Sequence, residues 1–260
     1  MNARRILLTL SYDGTEYAGW QYQENALSVQ EKVEEILSAI EKTPMRIVGA
    51  SRTDAGVHAQ GQRAHFDTFS RIPTDKYPFA LNALLPSDIR VNKAAQVADT
   101  LHARFSARRK EYRYLIDNRR HANALTQRFA AHVPLHLDAE KMHQSAQTLV
   151  GVHDFAAFEA SGGTAKTTVR TIESVSVKRE NNLVELRITG NAFLYNMVRI
   201  IAGTLIQIGQ EKLPPDAFSQ AIAHKDRLLL GPTAPAKGLT LYSIDYEEGD
   251  NAYPTHSKRP

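Results

Sequence analysis

Ile172-Glu173-Ser174-Val175-Ser176-Val177-Lys178-Arg179 and Leu183-Val184-Glu185-Leu186-Arg187-Ile188-Thr189, joined by Glu180-Asn181-Asn182, are the stretch that decides the fold. Apolar and polar residues alternate along both arms, and an asparagine-bearing turn separates them, so the pair reads as an antiparallel hairpin. Working back, Glu111 to Asp117 predicts a strand with Tyr112, Tyr114 and Ile116 on one face, and residues 138 to 150 predict a helix. Working forward, Leu194 to Ile208 and Asp216 to His224 have helical spacing, and Leu239 to Tyr246 closes as a strand.

The amino-terminal half uses the same vocabulary. Ile6 to Tyr12 is strand-like and ends at the turn Asp13-Gly14. Ser28 with Glu31 forms a capping box for an amphipathic helix over 28 to 41, carried by Val29, Val33, Ile36, Leu37 and Ile40. Strands are expected at Met45 to Ala50, Gln62 to Phe69 and 89 to 98, with a helix near 75 to 84. Strands in succession with helices between pairs predict an α+β protein: two similar α/β halves sharing a mostly antiparallel mixed sheet flanked by helices. The halves are placed at 1–105 and 106–248. The tail 249–260 has little apolar content, which predicts disorder.

Composition narrows the chemistry. At 42% hydrophobic and 23% charged, the chain has ordinary material for a globular core. Lys and Arg exceed Asp and Glu by 32 to 28, a net charge of +4 that permits a polyanionic partner without requiring one. The absence of cysteine excludes disulfides, thiolate metal sites and a cysteine nucleophile. Met1-Asn2-Ala3-Arg4-Arg5 runs straight into a strand pattern rather than a secretory leader, and Ile200 to Ile208 is too short to span a bilayer. A cytoplasmic protein with no membrane association is expected. His132 and His136 are four apart but separated by Pro134, so no helix aligns them as metal ligands, and no metal is expected. Ser161-Gly162-Gly163-Thr164-Ala165-Lys166-Thr167 lacks the spacing of a phosphate loop. No dinucleotide fingerprint or serine elbow is present either, so no cofactor is expected.

Arg52-Thr53-Asp54-Ala55-Gly56 is a charged junction between strand and loop. Read locally, Asp54 is either a turn residue bonding nearby N–H groups or a functional carboxylate. Two other clusters bear on the choice. Arg104, Arg108, Arg109, Lys110 and Arg113 surround Phe105 and Tyr112, a mixture suited to phosphate contact and base stacking, or to a solvated strand edge. Arg199 is the lone charge in a helix whose other positions are mostly apolar, where a cation snorkels or meets a carboxylate, and Phe193, Tyr195 and Met197 lie beside it.

Read in order, the blocks Tyr12-Asp13-Gly14-Thr15-Glu16-Tyr17-Ala18-Gly19-Trp20-Gln21, Ser28-Val29-Gln30 and Arg52-Thr53-Asp54-Ala55-Gly56-Val57-His58-Ala59 resemble the tRNA pseudouridine synthase A family. The likeness continues through Arg104-Phe105-Ser106-Ala107, Tyr112-Arg113-Tyr114, Asn191-Ala192-Phe193-Leu194, Met197-Val198-Arg199 and Gly231-Pro232-Thr233-Ala234-Pro235-Ala236 with Gly238-Leu239. Two departures are visible: Ser51 stands where many members have glycine, and Tyr195-Asn196 where some have histidines. Neither is expected to touch the reacting groups, and both bear on how the RNA arm is held.

The resemblance implies isomerisation of uridine to pseudouridine at positions 38, 39 and 40 of the tRNA anticodon arm, by a homodimer with a catalytic cleft between the halves. It implies Asp54 as nucleophile or base and Arg199 as its ion-pair partner. Tyr112 would stack on the base, Leu239 would wall the ring, and Arg52 would enter the space that the flipped nucleotide leaves. Arg104, Arg108, Arg109, Lys110 and Arg113 are the candidate phosphate contacts. A non-catalytic tRNA-binding protein and a carboxylate-dependent glycoside hydrolase are the rival readings, though the second needs another placed acid.

Overall fold

The computed structural model describes residues 3–246. The tail 249–260, where disorder is expected, lies outside them. The described chain packs as two compact units, one holding the residues up to Arg108 together with those from Ser243, the other Arg109–Tyr242.

The first unit runs β1 (Arg4–Tyr12), α1 (Val29–Glu41), β2 (Val48–Gly49), β3 (His58–Thr68), α2 (Tyr77–Asn82) and β4 (Ile89–Val97). β1 lies between β4 and β3 and is antiparallel to both, and β2 adds to the far side of β3. The capping box forms as expected: Ser28 Oγ accepts the Glu31 N–H at 3.2 Å, and the Glu31 carboxylate accepts the Ser28 N–H at 3.4 Å. Such a cap contributes about 1 kcal/mol. Val29, Val33 and Leu37 form the buried stripe of α1.

The strand expected at Met45 to Ala50 shrinks to β2 because side chains of α1 take its backbone bonds. Ser38 Oγ accepts the Met45 N–H at 2.9 Å, and the buried Glu34 carboxylate accepts the Ile47 N–H at 2.9 Å. Glu34 is further satisfied by Gln30 and Arg46. β3 starts four residues earlier than expected, since Ala59 pairs with Tyr12 across a register shift.

The second unit runs β5 (Arg109–Asp117), β6 (Ala131–His132), α3 (Ala139–Ala146), β7 (Gly151–Asp154), β8 (Val169–Glu180), β9 (Leu183–Gly190), α4 (Met197–Gly209) and α5 (Ala217–His224). The chain returns to the first unit within β10 (Leu239–Asp245), between Tyr242 and Ser243. β8 and β9 are the predicted hairpin, with Glu180 opposite Leu183 and Asn181 at φ 54°. Asparagine accepts that left-handed turn at little cost, which fixes the two-residue loop. β9 pairs antiparallel with β5, β7 pairs antiparallel with β8, and β6 is parallel to β5. Tyr112, Tyr114 and Ile116 do share one buried face of β5. The architecture is α+β, a mixed and mostly antiparallel sheet flanked by helices, as the alternation of elements predicts. Among the described residues no helix is long and apolar enough to cross a membrane.

Candidate active site

Asp54 sits in the loop between β2 and β3, and the segment after β1 braces that loop from behind. The peptide N–H of Trp20 donates to the Thr53 carbonyl at 3.1 Å, and the Gly56 N–H donates to the Tyr17 carbonyl at 3.2 Å. The hydroxyls of Tyr12 and Thr53 bond each other at 2.7 Å in the interior. Burial alternates along the loop: Thr53 is turned inward at 6% exposure, Asp54 is half-buried and Arg52 is exposed. Arg52 and Asp54 thus lie on the opposite side from Thr53, as their spacing by two predicts.

Two glycines permit this approach. Gly19 has φ +95°, and a Cβ there would stand 2.4 Å from the Thr53 carbonyl oxygen. A Cβ on Gly14 would stand 2.0 Å from the Val57 carbonyl oxygen. Gly14 also donates its N–H to His58 Nδ1 at 3.1 Å, so that nitrogen is an acceptor. Asp13 Oδ1, 3.2 Å from the same nitrogen, takes the Thr15 N–H at 3.0 Å and the Thr15 hydroxyl. At the other end of the loop the fully buried Gln62 side chain grips Ser51 twice: its Oε1 accepts the Ser51 N–H at 3.2 Å and its Nε2 donates to the Ser51 carbonyl at 2.7 Å. Because Ser51 is held through its main chain, serine serves there as well as glycine.

Tyr112, Arg199 and Leu239 all belong to the second unit. Tyr112 lies on β5 opposite Ile188 of β9, and its ring meets Phe193 edge to face at 5.1 Å between centroids. Arg199 occupies the first turn of α4. Asn196 stands at φ 60°, so the helix begins after it instead of at Leu194. Asn196 Oδ1 accepts from Arg199 Nη1 at 2.7 Å, and the Ala234 carbonyl accepts from Nε at 2.9 Å. The departure at Asn196 therefore does contact a residue expected to act, and the sequence reading missed it. A cation in a first turn also opposes the helix dipole by about 0.3–1 kcal/mol, a cost that an anionic partner offsets.

The block Gly231 to Leu239 packs against α4 for a steric reason. A Cβ on Gly203 would stand 1.7 Å from the Pro232 carbonyl oxygen, and Thr204 Oγ1 accepts the Gly231 N–H at 2.9 Å. The Tyr114 hydroxyl donates to the Pro235 carbonyl at 2.8 Å, and burial pushes this phenol far above its ordinary pKa. These contacts deliver Leu239, 5% exposed, to the start of β10.

The five basic candidates differ in what already holds them. Arg109 pairs with Glu173 at 2.7 Å. Arg113 pairs with Glu111 at 2.7 Å and stacks 3.2 Å over the Tyr242 ring. Arg104 and Arg108 are exposed and Lys110 is half-buried. Among the described residues no group of three or more His, Asp or Glu side chains could hold a metal ion.

Asp54 thus sits on a loop tied down through its backbone on both sides. Comparison with known proteins gives the family. A family model described as tRNA pseudouridine synthase matches residues 9–106 and 145–247. Similar proteins include tRNA pseudouridine synthase A of Ruminiclostridium cellulolyticum, 48% identical over 244 residues that cover 94% of this chain and 100% of that protein. The enzyme of the same name from Bacillus pumilus is 45% identical over 245 residues, covering 94% and 99%, and that of Acetivibrio thermocellus 46% over 243 residues, covering 94% and 100%. The chain belongs to the tRNA pseudouridine synthase family.

Proposed function

We propose that the chain isomerises uridine to pseudouridine at positions 38–40 of the tRNA anticodon arm, with Asp54 as the carboxylate that acts on the sugar. The N1–C1′ bond breaks, the base turns, and C5 bonds to C1′ while its proton leaves for solvent and N1 regains one. No other atom enters or departs. Asp54 either attacks C1′ or takes the C2′ proton, and both routes need it ionised against positive charge developing at the sugar. Arg199 is the cation that holds it so, anchored by Asn196 and Ala234.

Tyr112 stacks on the flipped base and Leu239 walls it. Arg52, exposed beside Asp54 on the same side of the loop, takes the place the base vacates. Arg104, Arg108, Arg109, Lys110 and Arg113 meet phosphates, Arg109 and Arg113 while also facing the acids Glu173 and Glu111. The protein works without a cofactor, in the cytoplasm, as a homodimer.

The observation that carries this reading is the brace on the Asp54 loop, which holds the backbone on either side of that residue. The test uses tRNA labelled with tritium at C5 of uridine. Wild type is expected to release label to water and leave the chain intact. Binding without release points to a carrier of RNA, and free uracil points to a hydrolase; either result defeats the proposal.

A further inference from the structure

The segment after β4 is fixed by its backbone as firmly as the Asp54 loop, yet it presents an aromatic ring to solvent. Arg5 on β1 donates to the carbonyls of Asp99 and Leu101 while its guanidinium pairs with Asp67 on β3. His65 Nδ1 accepts the Ala103 N–H at 3.1 Å, and the Tyr246 hydroxyl donates to the Ala103 carbonyl at 2.8 Å. Ser106 closes the turn, its N–H donating to the His102 carbonyl at 2.9 Å and its Oγ accepting the His102 N–H at 3.0 Å. His102 Nδ1 accepts the N–H groups of both Arg104 and Phe105 at 3.2 Å.

Phe105 projects from this fixed turn, 77% exposed. One side of its ring lies against the His102 imidazole, 4.4 Å between centroids and tilted by 31°. The Arg104 guanidinium lies over the ring at 5.8 Å from its centre, where it can meet the phosphate of a base stacked there. Leu101 and Ala103 in the same turn are buried, so Phe105 is the one large apolar side chain that the turn exposes. A protein partner would need a contiguous apolar patch. A single rigid ring backed by imidazole and flanked by arginine instead suits one nucleobase with its phosphate.

We propose that Phe105, backed by His102 and flanked by Arg104, is a stacking platform for one unpaired base of the RNA substrate, outside the position that reacts. The platform adds binding, not chemistry, and it tolerates any base because every base offers a π face. This rests on tRNA being the substrate.

The test measures tRNA affinity and tritium release for wild type, Phe105→Ala, Phe105→Leu, Phe105→Trp and Arg104→Gln. Phe105→Ala is expected to weaken tRNA binding by about 5- to 150-fold, the range of one lost stack, and to raise KM with kcat unchanged. Phe105→Leu should lose as much, being apolar without a π face, while Phe105→Trp binds at least as well as wild type. The salt dependence of binding should be the same for Phe105→Ala as for wild type, and shallower by about 0.7–0.9 for Arg104→Gln. Because the ring is exposed, thermal stability should not change. Wild-type affinity in Phe105→Ala or Phe105→Leu overturns the platform. So does a change of oligomeric state in Phe105→Ala, which would show that a second copy covers the ring. If wild type itself releases no label, the functional reading fails, an outcome distinct from failure of the platform alone.

Discussion

Replacing Gly19 by alanine tests the brace behind Asp54. At φ +95° a side chain costs about 1–2 kcal/mol of backbone strain. The new methyl would stand 2.4 Å from the Thr53 carbonyl oxygen, which must retreat. That oxygen accepts the Trp20 N–H at 3.1 Å, so retreat leaves a buried pair poorly bonded, at about 1–3 kcal/mol. Together these give roughly 2–5 kcal/mol, or a fall in Tm of roughly 4–20 °C at the 2–4 °C per kcal/mol of a chain this size. The displaced carbonyl belongs to the peptide that joins Thr53 to Asp54, so the carboxylate moves as well. A shift of about 1 Å costs on the order of 100-fold in turnover. Thermal melts and tritium release at saturating tRNA read the two effects. A Gly19→Ala protein that melts within a degree or two of wild type and turns over at the same rate would show that the close approach holds nothing in place.

Three further substitutions probe separate contacts. Tyr12→Phe strips Thr53 of its interior hydroxyl partner and should cost about 1–3 kcal/mol by urea denaturation, most of it recovered in the double variant Tyr12→Phe with Thr53→Val. His65 is buried and held neutral, its pKa depressed from 6.5 to about 4 by burial and then by Arg5 and His102. The unfolded chain thus binds the proton more readily, and this contribution, complete above pH 6.5, is lost as pH falls from there through about 4. Urea midpoints should drop more steeply with acid in wild type than in His65→Gln. Arg199→Lys keeps the charge but not the planar fork that reaches both Asn196 and Ala234, so kcat should fall by at least tenfold while the melting temperature changes little.

Much of the scaffold is legible in the sequence because its signals are local. The Ser28 and Glu31 cap, the alternation through β8 and β9 and the Asn181 turn each depend on residues within a few positions of one another. Legibility fails where a distant side chain decides. Nothing near Met45 or Ile47 announces that Ser38 and Glu34 will take their N–H groups and cut the strand short. Asn196 starts α4 three residues late through a left-handed φ, which apolar periodicity cannot register.

The candidate site divides in the same way. Arg199 is conspicuous as a charge among apolar residues, whereas Asp54 reads locally as a turn residue and stands out only through the family resemblance. Their supports are glycines, a buried glutamine, a threonine hydroxyl and carbonyl oxygens, whose importance arises only from proximity. The resemblance to a family did carry most of these silent positions, since Tyr12, Gly14, Gly19, Thr53, His58 and Ala234 all lie in the matching blocks. The structure supplies their physical reason, which is to hold the Asp54 loop and the Arg199 side chain still.

The central claim, that the Asp54 carboxylate acts at the sugar, is tested most directly by Asp54→Asn assayed on C5-tritiated tRNA beside wild type. The substitution keeps size and shape and removes only the charge. The variant is expected to bind tRNA and to release no label above background while wild type releases it. Release by Asp54→Asn within tenfold of the wild-type rate would contradict the claim.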